Sequence, residues 1–115
     1  MRQSNPSFMN GVPELLILRL LRDQEMYGYQ LVQEIRRSTG AVVSLGEGVV
    51  YPALHGLERD GALRSHRKSV EGRSRVYYAL TPKGQTRLSS LSGVWATLTG
   101  AIHAVLEGAG HAPAI

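Results

Sequence analysis

Histidine, cysteine, serine and carboxylate side chains carry most bond-making chemistry in proteins, and in this chain their spacing assembles none. The four histidines, His55, His66, His103 and His111, share no metal-ligand spacing, and no cluster of Asp or Glu accompanies them. Cysteine is absent, which removes disulfide frameworks, thiolate zinc sites and thiol nucleophiles together and is compatible with a reducing compartment. Gly46 and Gly48 lack the following glycine and the Lys of a phosphate-binding loop, and no nucleophile-elbow serine is present. The residues point away from an enzyme, and neither a metal nor a cofactor is expected.

What the chain does concentrate is positive charge. Between Arg59 and Arg87 eight basic residues stand against two acidic ones, a local net of +6, whereas the rest has five basic against seven acidic, a net of −2. Arg67, Lys68, Arg73 and Arg75 crowd one short stretch with only Glu71 opposing them. A solvated loop would also be basic, so the elements around the patch must decide whether it meets a polyanion.

Those elements fit within 115 residues that are 43% hydrophobic and 19% charged, enough for one packed domain. The longest aliphatic run, Leu15 to Leu18, is far below the roughly 20 residues of a membrane span. No secretory signal is expected either, so the expected location is the cytoplasm. The polar ends, residues 1–9 and 108–115, read as flexible.

A first helix is expected from Asn10 or Gly11 to Arg22, with Pro13 in its first turn. Its apolar residues, including Leu15 and Leu18, go nearly all the way round, so it should touch a second surface besides its own domain, such as a partner subunit. A second helix opens near Gly28 and stops at Gly40, with Leu31, Val32 and Ile35 on one face. A third contains Val50, Ala53, Leu54 and Leu57 on one face and Tyr51, His55 and Glu58 on the other, and ends at Gly61. Its start is ambiguous: Ser44 with Glu47 fits a capping box, but Pro52 would then fall inside the helix, and a start near Gly48 or Val49 avoids that conflict.

Next comes a hairpin turning at Gly72, with Val76, Tyr78 and Leu80 alternating against Arg75, Tyr77 and Ala79. Thr81 then caps a last helix with Pro82 in its first turn. Along it Leu88, Leu91, Trp95, Leu98, Ile102 and Val105 are spaced 3, 4, 3, 4 and 3, the alternation of a coiled-coil seam. Such a seam requires a facing helix, either in a second copy of the chain or in helix one of the same domain.

The expected fold is thus mainly α with a small β-hairpin: a winged helix-turn-helix domain over 10–80 and a C-terminal dimerisation helix over 81–107. An amphipathic third helix, a basic hairpin and a pairing helix converge on DNA, with the helix in the major groove and the hairpin on the backbone.

Three blocks in this order, YGYQLVQEI at Tyr27 to Ile35, GVVYPALHGLERDGAL at Gly48 to Leu63 and GRSRVYYALTPKGQTRL at Gly72 to Leu88, make the chain resemble the PadR family of transcriptional regulators. The middle block is the most specific of the three. The resemblance implies a homodimeric repressor on a near-palindromic operator, with the helix of Tyr51 as recognition helix and the hairpin around Gly72 as wing. Together with the charge pattern it gives an expected DNA-binding set of Tyr27, Tyr29, Ser44, Glu47, Gly48, Val49, Tyr51, Pro52 and His55 from the helices and their approach and Arg67, Lys68, Arg73, Ser74 and Arg75 from the wing.

The expected dimerisation set is Leu15, Leu18, Leu88, Leu91, Trp95, Leu98, Ile102 and Val105. Two positions depart from the family pattern: Val49 where Thr is common, and His55 where Lys or Arg is common. Both weaken phosphate contacts by the recognition helix and shift affinity toward the wing arginines. Family members often release DNA on binding a small aromatic or drug-like effector, and Trp95, the only Trp, is the candidate to stack on one; core packing at the seam is the alternative role for it. The rival function is a winged-helix module that binds protein without reading DNA.

Overall fold

The computed structural model describes residues 11–108, so the expected flexible ends fall outside the described residues apart from Gly108. Four helices and three strands follow in the order α1 (Val12–Asp23), β1 (Met26–Tyr27), α2 (Gly28–Ser38), α3 (Glu47–Arg59), β2 (Leu63–Val70), β3 (Arg73–Leu80) and α4 (Pro82–Leu106).

At the centre lies α1, which packs on α2, α3, α4 and β3. Its breadth of apolar surface is accounted for largely within the chain: Val12, Ile17, Leu18 and Leu21 are buried, and Leu15, Leu16 and Leu20 are partly buried against the same core. The core is completed by Leu31 and Ile35 of α2, Val50, Leu54 and Leu57 of α3, Leu63 of β2 and Leu88 of α4. Each such side chain contributes about 1.5–3 kcal/mol of burial.

Backbone chemistry sets where the helices stop. After α2, Gly40 at φ 61° allows its own N–H to reach the Arg37 carbonyl and that of Ala41 to reach the Arg36 carbonyl. After α3, Gly61 at φ 85° does the same, with Gly61 N–H on Glu58 and Ala62 N–H on Leu57. Both are Schellman closures, in which a left-handed residue lets the chain satisfy the last helical carbonyls. The α2–α3 loop is tied by Thr39, whose hydroxyl donates to the Ile35 carbonyl at 2.8 Å and accepts the Val43 N–H at 3.0 Å.

The start of α3 differs from both expectations. The helix begins at Glu47, and its cap is Gly46, whose carbonyl accepts the N–H groups of Val49 and Val50 at 3.0 Å each. Ser44 is exposed and does not cap it, so the Ser44–Glu47 capping box does not form. Pro52 does lie inside the helix and has no N–H for the Gly48 carbonyl. Gly48 and Pro52 are both exposed, so water can satisfy that carbonyl, which is why the helix tolerates what the sequence pattern argued against.

The hairpin runs as expected, β2 antiparallel to β3 from Leu63 opposite Leu80 to Val70 opposite Arg73. Its two-residue turn, Glu71–Gly72, has φ 54° and 80°, the left-handed pair of a type I′ turn. A strand the periodicity did not announce, β1, pairs Met26 with Tyr78 and Tyr27 with Tyr77, giving the sheet order β1-β3-β2.

Thr81 caps α4 by accepting the Gly84 N–H at 3.0 Å. The helix is roughly 37 Å long at about 1.5 Å per residue. Its first half is covered by the domain through Gly84 and Leu88, and its second half is exposed. No helix among the described residues is long and apolar enough to cross a membrane.

Candidate nucleic-acid interface

The outer face of α3 is positioned by a contact that depends on one glycine. A Cβ on Gly28 would lie 2.4 Å from two carbons of the Tyr51 ring, so the aromatic ring rests directly on the first turn of α2. One turn along, His55 is exposed, with its ring 6.3 Å from that of Tyr51. Glu58, expected on the same outward face, turns aside and accepts the Ser65 hydroxyl at 2.6 Å, fastening α3 to β2.

Across from Tyr51 stands β3. Together α2, α3 and the hairpin enclose an open cleft of about 660 Å³ lined by Tyr27, Gly28, Tyr29, Gln33, Tyr51, His55, Arg67, Arg73, Ser74, Arg75, Val76 and Tyr78. Eight of the expected DNA-binding residues meet there: Tyr27, Tyr29, Tyr51, His55, Arg67, Arg73, Ser74 and Arg75. No carboxylate lines the cleft, and among the described residues Arg67, Arg73 and Arg75 form no ion pair. Arg75 is held by aromatic contact instead, its guanidinium carbon 4.2 Å from the Tyr27 ring centroid. Tyr27 in turn meets Tyr77 edge to face at 5.4 Å.

Burial pushes the Tyr78 phenol up, and the nearby Glu58 carboxylate and Tyr51 add to this, so Tyr78 remains a neutral hydroxyl. The cleft therefore offers cationic forks and tyrosine rings with no carboxylate in its lining, the chemistry that engages a phosphate backbone.

The remaining predicted residues lie elsewhere. Ser44, Glu47, Gly48, Val49 and Pro52 sit on the exposed loop and first turns at the N-terminal end of α3, outside the cleft lining. Lys68 is turned to the opposite face of the hairpin from Arg67 and shares the face of Arg75, its cross-strand partner. There its ammonium bonds Glu25 and lies 4.4 Å from the Tyr77 ring centroid, so it is engaged within the chain. Glu25 also meets His66 at 2.6 Å. Hydrogen bonds from Lys68 and His66 hold its carboxyl below the usual carboxylate range.

Sequence reasoning missed Gln33 and Glu25. Gln33 lies four residues after Tyr29 on one helix face, a spacing that was available. Glu25 is about forty residues from its partners, and nothing local announces the contact.

The apolar seam divides in two. Leu18 and Leu88, expected at a dimer interface, are 0% and 2% exposed and belong to the core of the chain itself, so they have no surface left for a partner. Helical periodicity identifies the apolar side of a helix but not what covers it. Leu15 and Leu91 are partly covered by the same core. Trp95, Leu98, Ile102 and Val105 are 43%, 51%, 47% and 62% exposed, joined by Val94 and Leu106. Trp95 also borders a hollow of about 190 Å³ between Val12 and Leu15 of α1 and Leu91, Val94 and Leu98 of α4.

Comparison with known proteins bears on the fold and the family. Residues 17–90 match the Transcriptional regulator PadR-like family. The transcriptional regulator Rv3488 of Mycobacterium tuberculosis is 42% identical over 82 residues, covering 71% of this chain and 74% of that protein. Among solved structures, a transcriptional regulator from Clostridium thermocellum superposes with a TM-score of 0.79 at 28% identity over 85% of this chain and 96% of its own. A PadR family transcription regulator from Clostridium difficile R20291 gives a TM-score of 0.75 at 26% identity, over 84% and 99%. With a cleft of unpaired arginines beside an outward-facing helix, on a fold shared with these proteins, the chain belongs to the PadR-like family of DNA-binding transcriptional regulators, which are not enzymes.

Proposed function

We propose that the protein is a homodimeric, sequence-specific repressor acting in the cytoplasm on a near-palindromic operator. The observation that carries the reading is the cleft between α3 and the wing, which Arg67, Arg73 and Arg75 line without a carboxylate. In this reading α3 enters the major groove with Tyr51 and His55, the wing arginines bind flanking phosphates, and residues 10–80 form the reading domain. The exposed Trp95, Leu98, Ile102 and Val105 of 81–107 support pairing through α4, which separates the two recognition helices by one helical turn, roughly 34 Å. The exposed Ser44, Glu47, Gly48, Val49 and Pro52 at the start of α3 supply further contacts at the groove edge.

Selection from randomised duplex DNA at two salt concentrations tests this reading. The expected result is an enriched near-palindrome whose affinity falls steeply with salt, since each neutralised phosphate releases counterions. No enrichment at either salt would instead favour a protein-binding winged helix whose arginines meet another anionic partner. Repression is tested by placing the selected site across a promoter and following transcription with and without protein.

The proposed effector is a small aromatic molecule bound beside Trp95, and the hollow between α1 and α4 supports that position. Ligands from a phenolic and drug-like panel should quench Trp95 fluorescence and weaken operator binding. A panel without any quenching would leave Trp95 as packing alone.

A further inference from the structure

The root of α4 is fastened to the end of α3 over two successive turns. The Thr81 hydroxyl donates to the Gly61 carbonyl at 2.7 Å, and the Thr81 N–H donates to the Ala62 carbonyl at 3.1 Å. At Gly84 the helix meets the chain backbone to backbone, because a Cβ there would lie 2.1 Å from the Ala62 carbonyl oxygen. One turn further, Arg87 Nη1 reaches Asp60 Oδ2 at 3.3 Å while its Nε bonds the Glu14 carboxylate on α1. Asp60 is the C-cap of α3. Leu91, where the exposed stretch of α4 begins, lies one turn beyond Arg87.

We infer that Arg87 is a positioning residue that sets the angle between the recognition helix and the pairing helix, and thereby the half-site spacing the dimer accepts. This rests on the dimeric operator reading above. Thr81 and Gly84 fix where α4 begins, and Leu88 and Leu91 seat its first turns on the core through apolar contacts, which are non-directional. Arg87 adds a directional constraint to that packing, since its planar guanidinium joins carboxylates on two different elements and so resists rotation in two directions. A tilt of roughly 10° along a helix of roughly 37 Å displaces its far end by about 6 Å, nearly two base-pair steps of about 3.4 Å. Small angular freedom at Arg87 therefore becomes spacing tolerance on DNA. The half-site sequence read by α3 is untouched by it.

The test is binding to operators whose central spacer is varied by one and two base pairs in each direction, alongside a duplex carrying a single half-site. Arg87→Met keeps the aliphatic stem and removes both ion pairs. The ratio of affinities between the best and the off-by-one spacer should fall by about threefold or more in this variant, the scale of a partly exposed ion-pair pair. Single half-site affinity and base preference should stay at wild-type values, which a general loss of structure would not allow. Arg87→Lys, which keeps the charge without the fork, should recover only part of the ratio. Asp60→Asn removes one arm at an exposed position and should lower the ratio less, keeping the test open if Arg87→Met fails to fold. An unchanged ratio in folded Arg87→Met and Asp60→Asn would overturn the inference. A wild type that binds all spacers equally would overturn the dimeric reading itself, and Arg87 with it.

Discussion

The cleft between α3 and the wing and the distal half of α4 both expose side chains that the folded chain leaves unpartnered, but of opposite kinds. The cleft holds three arginines that lack carboxylates, set among Tyr27, Tyr29, Tyr51 and Tyr78. The distal half of α4 holds Val94, Trp95, Leu98, Ile102, Val105 and Leu106 in water. An unpaired cation asks for an anion, and an uncovered apolar stripe asks for another apolar stripe. The first half of α4 makes the contrast sharper, because there the same kind of pattern is covered by the domain at Gly84 and Leu88.

The largest expected effect comes from breaking the apolar region while leaving the cleft intact. Leu98→Glu together with Ile102→Glu should give monomers in sedimentation at micromolar concentration and weaken operator binding by about 100-fold or more, since two linked half-site contacts become independent. Single half-site binding should persist. Loss of both together would mean that distal α4 supports the fold rather than pairing.

Next in size is Gly28→Ala, which attacks the cleft without touching a charge. The added methyl must displace the Tyr51 ring, an overpacking cost of about 1–3 kcal/mol. Selected-site affinity should drop by about tenfold while non-specific binding at low salt is retained. Equal losses on both kinds of DNA would show that Tyr51 is not a reading residue.

Arg73→Ala should weaken binding to all sequences alike and flatten the salt slope by about one unit. His55→Ala should do less, because the wing rather than the recognition helix supplies the unpaired cations. A reversed order in a salt-titrated binding assay would place the phosphate contacts on α3.

The smallest effect belongs to the one wing cation that is already paired within the chain, Lys68. Glu25→Gln releases Lys68 and His66 from their shared carboxylate, so non-specific affinity should rise a few-fold with a steeper salt dependence. The same carboxylate titrates below its unperturbed value of 4.5. Its folded form is therefore favoured above that pH, and its contribution is lost as pH falls through the lowered value. Acid unfolding monitored by circular dichroism should lose part of its pH dependence below about pH 4.5 in the Glu25→Gln variant.

Much of this architecture was legible where a local rule decides it. Thr81–Pro82 at the start of α4, Gly40 and Gly61 as helix stops, and Gly72 in the turn each follow from backbone chemistry within a few residues. The wing arginines were readable as charge, and the 3-4 spacing located the apolar stripe of α4. What the sequence hid depends on neighbours distant along the chain. Strand β1 has two residues, too few for a period to show. Leu88 shares the periodicity of the exposed seam residues and Leu18 lies on a helix apolar nearly all round, and only packing within the chain shows that both are covered. Lys68 looks like Arg67 until Glu25 is found beneath it. The start of α3 was obscured because the cost of Pro52 depends on whether the Gly48 carbonyl faces water.

The most direct test of the account is stoichiometric titration of the selected full operator and of a duplex carrying one half-site, with complex mass measured at each point. The account predicts two protomers on the full operator and an affinity about 100-fold or more above that of the half-site duplex. One protomer per full operator, bound no more tightly than to the half-site, would contradict it.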